Sequence, residues 1–236
     1  MPYRRRFLVA LALLALGLVG AAWAVVRLGG WRYTAHRLLT QSAWPTYTQR
    51  RSQLDVLPSP APGDVVLLGD SHVAQGQWCE LAPDLSPLNR GTPGEGIAGL
   101  RAYAKTLDLG GARAVAIQVG TNDLLFHPPA WVRAHYDSLL ADLAARDISI
   151  IACTLPGVSP DVRWTGIDPA DVAEVNDWLR ELPERHAITI CDLAASLGTA
   201  GGILPPSMTD DGVHLRGAGY VRWARALRQS VAAAPR

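Results

Sequence analysis

Four short blocks of this 236-residue chain hold groups that can move a proton or an acyl group. The first, Gly69-Asp70-Ser71-His72, places a hydroxyl between a carboxylate and an imidazole at the end of the apolar run Val65-Val66-Leu67-Leu68. The second, Asn89-Arg90-Gly91-Thr92-Pro93-Gly94-Glu95-Gly96, is a glycine-rich turn that exposes backbone N–H groups. The third, Gly120-Thr121-Asn122-Asp123, offers an amide side chain, and the fourth is Asp210-Asp211-Gly212-Val213-His214. Attack on an ester needs a hydroxyl, a base to take its proton, a group that orients the base, and donors aimed at the developing oxyanion. These blocks can fill all four roles. Ser71 is the candidate nucleophile and His214 the candidate base. Asp211 lies three residues before His214, and Gly212 lets the turn bend so that the carboxylate reaches Nδ1 and fixes the tautomer. Asp210 reads as a loop carboxylate or cap.

Other readings of the same residues compete with this one. Asp70 and Ser71 are also good helix N-caps, so the first block alone is compatible with a strand running into a helix. His72 is a rival base, but neighbouring side chains on a turn diverge and no separate carboxylate is placed to orient it. It is therefore expected to line the mouth of the pocket and touch substrate, with His127 at the same rim. His36, His135 and His186 read as stalk or helix-surface residues. Asp70, Asp123, Asp211, His72 and His214 lack His-x-x-x-His or Cys-x-x-Cys spacing, so neither a metal nor any other cofactor is expected. A G-x-S-x-G elbow is also disfavoured, because Val73 stands where the second glycine would be and Asp211 shares one loop with His214.

The elements that must carry these blocks follow from the hydrophobic pattern. Apolar runs at 65–68, 88–89, 114–119, 148–153 and 187–191 have the length of buried strands. Between them, Ile97, Leu100, Ala104 and Leu107 recur at helical spacing. So do Val132, Tyr136, Leu139, Leu140 and Leu143, and then Val172, Val175, Leu179 and Leu182. Asp168 before Pro169 is a helix start, and the last helix is predicted from Gly217 with Tyr220, Ala224 and Leu227 inward. Five strands alternating with helices predict an α/β domain, a mostly parallel sheet covered on both faces.

Composition narrows the classes. A formal net charge of +1, with the arginines scattered and Lys105 the only lysine, gives no reason to expect nucleic acid as a partner. Cys79, Cys153 and Cys191 are too few for a disulfide scaffold, and the latter two read as small buried side chains.

Arg4-Arg5-Arg6 precedes an uncharged run from Phe7 to Val26, whose twenty residues as a helix would span about 30 Å, a bilayer's hydrocarbon thickness. A transmembrane anchor is expected, its arginines cytoplasmic and the rest outside. The alternative is a signal peptide cleaved after Ala22-Trp23-Ala24, leaving a secreted or periplasmic protein. Three segments result: residues 1–28 as tail and anchor, 29–63 as a stalk ending in the Pro58, Pro60, Pro62 linker, and 64–236 as the domain. One short helix is expected in the stalk between Thr46 and Leu57.

All four blocks, in order, resemble those of the SGNH hydrolases, also called the GDSL esterase and lipase superfamily, over about Asp64 to Leu227. The resemblance implies a flavodoxin-like three-layer α/β/α sandwich with a five-stranded parallel sheet and a Ser71-His214-Asp211 triad. It also implies an oxyanion hole from the Ser71 N–H, the Gly94 N–H and the Asn122 side chain. His72 stands where the family often has Leu or Ile, which bears on the pocket's polarity. With the anchor, the expectation is an extracytoplasmic, membrane-anchored serine esterase, with O-deacetylation of cell-envelope carbohydrate as the leading reading. Trp78, Trp131 and Trp164 are candidates to stack on sugar rings, or else partly buried aromatics. The rivals are a lysophospholipase or thioesterase acting on lipid, an O-acyltransferase using the same serine, and a non-catalytic binding module. The substrate partner is thus a small-molecule or glycan ester, and the oligomeric state stays open.

Overall fold

The computed structural model describes residues 13–14, 16–20, 22–23, 45–163, 165–184 and 186–235. The chain divides into two compact units, Met1–Thr48 and Gln49–Arg236. In the first, the described residues between 13 and 23 are helical and expose Leu13, Leu14, Leu16, Leu18, Val19 and Trp23. No helix among the described residues is long and apolar enough to cross a membrane. Most of the expected span from Phe7 to Val26 lies outside them.

The second unit is built on five parallel strands, β1 (Val65–Gly69), β2 (Pro87–Gly91), β3 (Ala114–Gln118), β4 (Ser149–Cys153) and β5 (Ile188–Cys191), in the order β2-β1-β3-β4-β5. β1 and β3, inside the sheet, are buried at every position, whereas β2 and β5 at its edges carry half-buried residues. This is why the inner runs read as continuous hydrophobics. Alternation of side chains along each strand divides the core in two. Val66, Leu68, Val115, Ile117, Ile150 and Ala152 face one side, and Val65, Leu67, Ala114, Ala116, Ile151 and Cys153 the other.

The first face is covered by α4 (Ile97–Thr106), α5 (Pro129–Ala144) and α6 (Pro169–Glu181). Their buried residues are those of the predicted stripes, among them Ile97 and Leu100, Val132 and Leu139, Val172 and Leu179. Asp168 caps α6, its carboxylate accepting from the Ala170 N–H at 2.9 Å ahead of Pro169 in the first turn. The second face is covered by α8 (Gly217–Ala233), with Tyr220, Trp223, Ala224, Leu227 and Val231 inward, together with the short α2 (Ser71–Gln75), α3 (Trp78–Leu81) and α7 (Leu193–Leu197). The result is the three-layer arrangement expected. Cys153 and Cys191 lie side by side on β4 and β5 as buried free thiols.

The helix expected in the stalk is α1 (Pro45–Leu54). The segment it opens is not a free spacer, since the compact unit begins at Gln49. Leu54 is only 2 % exposed and joins the core, and the Arg90 guanidinium donates to the Pro58 carbonyl at 2.8 Å. The strand order reverses between β1 and β3, so a crevice is expected beyond their carboxyl ends, where Ser71 and Asn122 lie.

Candidate active site

Ser71 lies two residues beyond β1, after Asp70. The Asp70 carboxylate accepts the His72 N–H at 2.9 Å and caps α2, leaving Ser71 as the helix's first residue. First-turn N–H groups have no partner inside a helix. Among the described residues, neither the Ser71 N–H nor the Gly94 N–H donates to a protein acceptor. The Ser71 hydroxyl lies 2.9 Å from His214 Nε2.

His214 Nδ1 lies 2.6 Å from Asp211 Oδ2. The other carboxylate oxygen, Oδ1, accepts the Val213 and His214 N–H groups at 2.9 and 2.8 Å, so one side chain both shapes the loop and holds the ring. Gly212, at φ +87°, donates its N–H to Thr209 Oγ1 at 3.0 Å, and its carbonyl accepts from Ser159 at 2.8 Å. Partial burial works to raise the Asp211 pKa, but the hydrogen bonds from His214 and the two N–H groups outweigh it and hold the carboxyl at about 2. Asp211 is therefore ionised beside the imidazole over the whole working range.

His72 does not line a pocket mouth. It is 1 % exposed, its Nδ1 lying 3.1 Å from Asp70 Oδ1 and its Nε2 lying 3.0 Å from the Val213 carbonyl. Its own carbonyl accepts from the Tyr220 hydroxyl at 2.9 Å. The expectation of a substrate contact fails because the helical turn begun at Ser71 carries the next side chain inward. Burial disfavours the charged ring, yet the Asp70 carboxylate, the Val213 carbonyl and the charge of Asp211 together raise its pKa above the ordinary histidine value.

The second and third blocks meet across the crevice. Asn122 Nδ2 donates to the Glu95 carbonyl at 2.9 Å, fixing the amide against the Gly94-Glu95-Gly96 turn. Gly94 has φ +79°, a left-handed conformation that glycine adopts without a steric penalty. Asp123, 7 % exposed, accepts the Ile97 N–H at 3.1 and 3.2 Å and so caps α4, whose own N-cap is a glycine. Arg51 approaches Glu95 at 3.8 Å from α1. Arrayed this way, a hydroxyl, an oriented imidazole, two unengaged N–H groups and a fixed amide can perform acyl transfer.

The model of the GDSL-like Lipase/Acylhydrolase family matches residues 67–222, about two thirds of the chain. The chain belongs to that family. It is a carboxylic ester hydrolase, as its membership implies. Solved structures of similar fold include a Streptococcus pneumonia protein provisionally described as a platelet activating factor, with TM-score 0.72, 19% identity, and coverage of 84% of this chain and 98% of that one. A GDSL-like lipase from Bacteroides thetaiotaomicron gives 0.63 at 19% identity, with coverage of 79% and 97%. The acetyl xylan esterase AlAXEase gives 0.58 at 17% identity, with coverage of 71% and 99%. At these identities the likeness concerns the fold. No curated protein sequence compared with the chain matches it.

Within this GDSL-like acylhydrolase the remaining candidates are dispersed. Asp210 is exposed and pairs with Arg216 at 2.5 Å. Trp78 is no sugar platform, being 2 % exposed with its ring edge-on to Trp223 and its indole N–H donating to the Val73 carbonyl. Trp131 is half-buried and stacked on His127 at 3.9 Å and on His135 at 3.6 Å between centroids. His186 pairs with Asp137 at the surface, and Trp164 and His36 lie outside the described residues. Sequence reading missed the capping role of Asp123, the hydrogen bonds from Arg50 to the Asn89 and Gly91 carbonyls, and the approach of Arg51 to Glu95. Asp123 gave a faint signal, since Gly96 before α4 supplies no side-chain cap. The arginines gave none, because their partners are backbone and side-chain groups some forty residues away.

Proposed function

We propose that this acylhydrolase works through Ser71, with His214 as base and Asp211 as the group that orients it. The Ser71–His214–Asp211 relay at 2.9 and 2.6 Å carries this reading. His214 Nε2 takes the Ser71 proton as Oγ bonds to the ester carbonyl carbon. The carbonyl π electrons move to oxygen, which meets the Ser71 and Gly94 N–H groups and the Asn122 amide. Collapse expels the alkoxide, which receives the proton from His214. Water, deprotonated by the same ring, then attacks the acyl-serine, and the acid leaves as Ser71 regains its proton.

The favoured substrate is a short acyl ester, an acetyl group on a cell-envelope carbohydrate. This is supported by the openness of the relay, with the His214 and Asp211 side chains 36% and 44% exposed, so a bulky polymer can bring a small acyl group to Ser71. Cavities of about 300 and 430 Å³ are lined by other residues and do not reach Ser71. The uncharged run from Phe7 to Val26, with apolar side chains exposed at Leu13 to Trp23, supports a single-pass anchor that holds the domain outside the membrane. One observation favours a lipid ester instead: Leu125 and Phe126, just beyond Asn122, are 37% and 77% exposed and offer an apolar rim.

A p-nitrophenyl ester series from acetyl to long acyl chains, run on the full chain, separates the two, alongside acetate release from an O-acetylated polysaccharide. The expected order is acetyl first, with Ser71→Ala reducing turnover by at least about a thousandfold. A steep rise of kcat/KM with acyl length would replace deacetylation by the lipid reading, and equal rates for Ser71→Ala would remove the serine from the mechanism.

A further inference from the structure

His72 and Asp70 form a second imidazole–carboxylate pair beside His214 and Asp211, the two rings 5.5 Å apart and tilted by 37°. The second pair touches no reacting atom and is sealed, at 1 % and 0 % exposure. Both ring nitrogens of His72 face oxygens that can only accept, Asp70 Oδ1 at 3.1 Å and the Val213 carbonyl at 3.0 Å. A neutral imidazole has one N–H and would set a lone pair against one of those oxygens. The doubly protonated ring satisfies both, and Asp70 supplies the counter-charge.

Val213 immediately precedes His214, and its carbonyl belongs to the loop that carries the base. We propose that His72 is a positioning residue: held as an imidazolium by Asp70, it clamps the base loop through the Val213 carbonyl and sets the distance between His214 and Ser71. This rests on the reading of Ser71 and His214 as nucleophile and base. The clamp joins three elements that the sequence separates, namely the turn after β1 through Asp70, the base loop through Val213, and α8 through the Tyr220 hydroxyl on the His72 carbonyl. The ionisable groups facing the ring are Asp70 from its own turn, Asp211 and His214 from the base loop, and Tyr220 from α8. Loss of the proton on Nε2 would leave the Val213 carbonyl without a donor and free the loop to shift. Misplacement of a reacting group by about 1 Å can cost about a hundredfold in rate.

The test combines two measurements on the full chain. In protein labelled with 15N-histidine, assigned by the signals lost in His72→Gln, both His72 ring nitrogens should carry the protonated signature at pH 7 and keep it above the range of ordinary histidines. His72→Phe, which fills the site without donors, should lower kcat about a hundredfold with KM changed less than about threefold. It should also remove the alkaline fall in kcat that marks His72 deprotonation in the parent. A neutral His72 ring at pH 7 would overturn the proposal, as would a His72→Phe protein that melts like the parent and keeps its kcat. Should His72→Phe not fold, the 15N spectrum of the parent decides by itself. Activity persisting in Ser71→Ala would instead count against the serine mechanism, while the ring's protonation state would still be read directly.

Discussion

Arg50 Nε donates to the carbonyl of Gly91 at 3.0 Å, joining α1 to the end of β2 across 41 residues of chain. The same guanidinium donates to the Asn89 carbonyl at 3.0 Å, and the neighbouring Arg51 lies over the Tyr103 ring, 3.5 Å from its centroid, while facing Glu95. The part of α1 that carries Arg50 and Arg51 thus braces the turn that presents Gly94.

Arg50→Ala is accordingly expected to weaken both the fold and the turn that presents Gly94. Two carbonyls of β2 lose donors, at about 1–3 kcal/mol for a partly buried group, so melting should fall by about 2–12 °C. kcat should fall more than KM rises, because the Gly94 N–H is proposed to meet the developing oxyanion. Thermal melting and steady-state kinetics of the full chain check both. A domain cut at Pro62 loses the same brace and should be less active than one beginning at Gln49.

Asp211→Asn separates loop shape from base orientation. The amide oxygen can still accept the Val213 and His214 N–H groups, now met at 2.9 and 2.8 Å, so the fold should survive. The amide NH₂ would face His214 Nδ1, which favours the wrong tautomer and withdraws the charge that stabilises the imidazolium. A loss of at least about a hundredfold in kcat with near-parental melting is expected. Since the carboxyl is held at about 2, protonation of Asp211 should not set the acid limb of the parent's profile.

Much of this architecture was legible in the chain because the signals are local. The runs around Val66, Val115 and Ile151 lie inside the sheet, where burial on both faces demands continuous apolar residues, and Asp168-Pro169 announces α6 by cap chemistry. The relay was legible because Asp211 and His214 share one loop and Ser71 lies two residues beyond a strand. What escaped reading depends on turns taken in space. The inward course of His72 follows from where helix α2 begins, and the burial of Trp78 follows from the packing of α3 beneath Trp223 and Tyr220. The brace from Arg50 escaped because proline-rich composition describes a segment's stiffness and not what it lies against.

Gly212 and Gly94 both have positive φ, but their surroundings differ, and substitution should reveal it. A Cβ on Gly212 would sit 2.9 Å from the Arg163 carbonyl oxygen and 3.0 Å from that of Ser159, whereas one on Gly94 would meet nothing within 4 Å. Gly94→Ala should show only the left-handed strain of about 1–2 kcal/mol. Gly212→Ala adds a clash with rigid backbone and should lower the melting temperature further, together with activity through a displaced His214. Equal melting of the two variants would contradict this packing.

Asn122→Ala takes away the donor that meets the Glu95 carbonyl, at a cost of about 1–3 kcal/mol in stability, while the larger effect should fall on the transition state. A decrease of about 100- to 1,000-fold in kcat with KM nearly unchanged is expected. A rise in KM at constant kcat would assign Asn122 to ground-state binding.

Asp123 should make stability depend on pH in the direction opposite to Asp211. Burial, with a contribution from the charge of Asp70, raises its carboxyl from 3.8 to about 6 despite the Ile97 hydrogen bonds. In the unfolded chain this group releases its proton near 3.8, so between about pH 4 and 6 the folded protein holds a proton that the unfolded chain has lost. This group therefore favours folding less as pH rises through that window, and its penalty is complete above about 6. Asp123→Asn keeps an acceptor for the Ile97 N–H and cannot ionise. The parent's melting temperature should thus drop relative to that of the variant between pH 4 and pH 7. A difference that stays constant across those pH values would show that Asp123 is already ionised at pH 4, and the cap on α4 would then be a charged one.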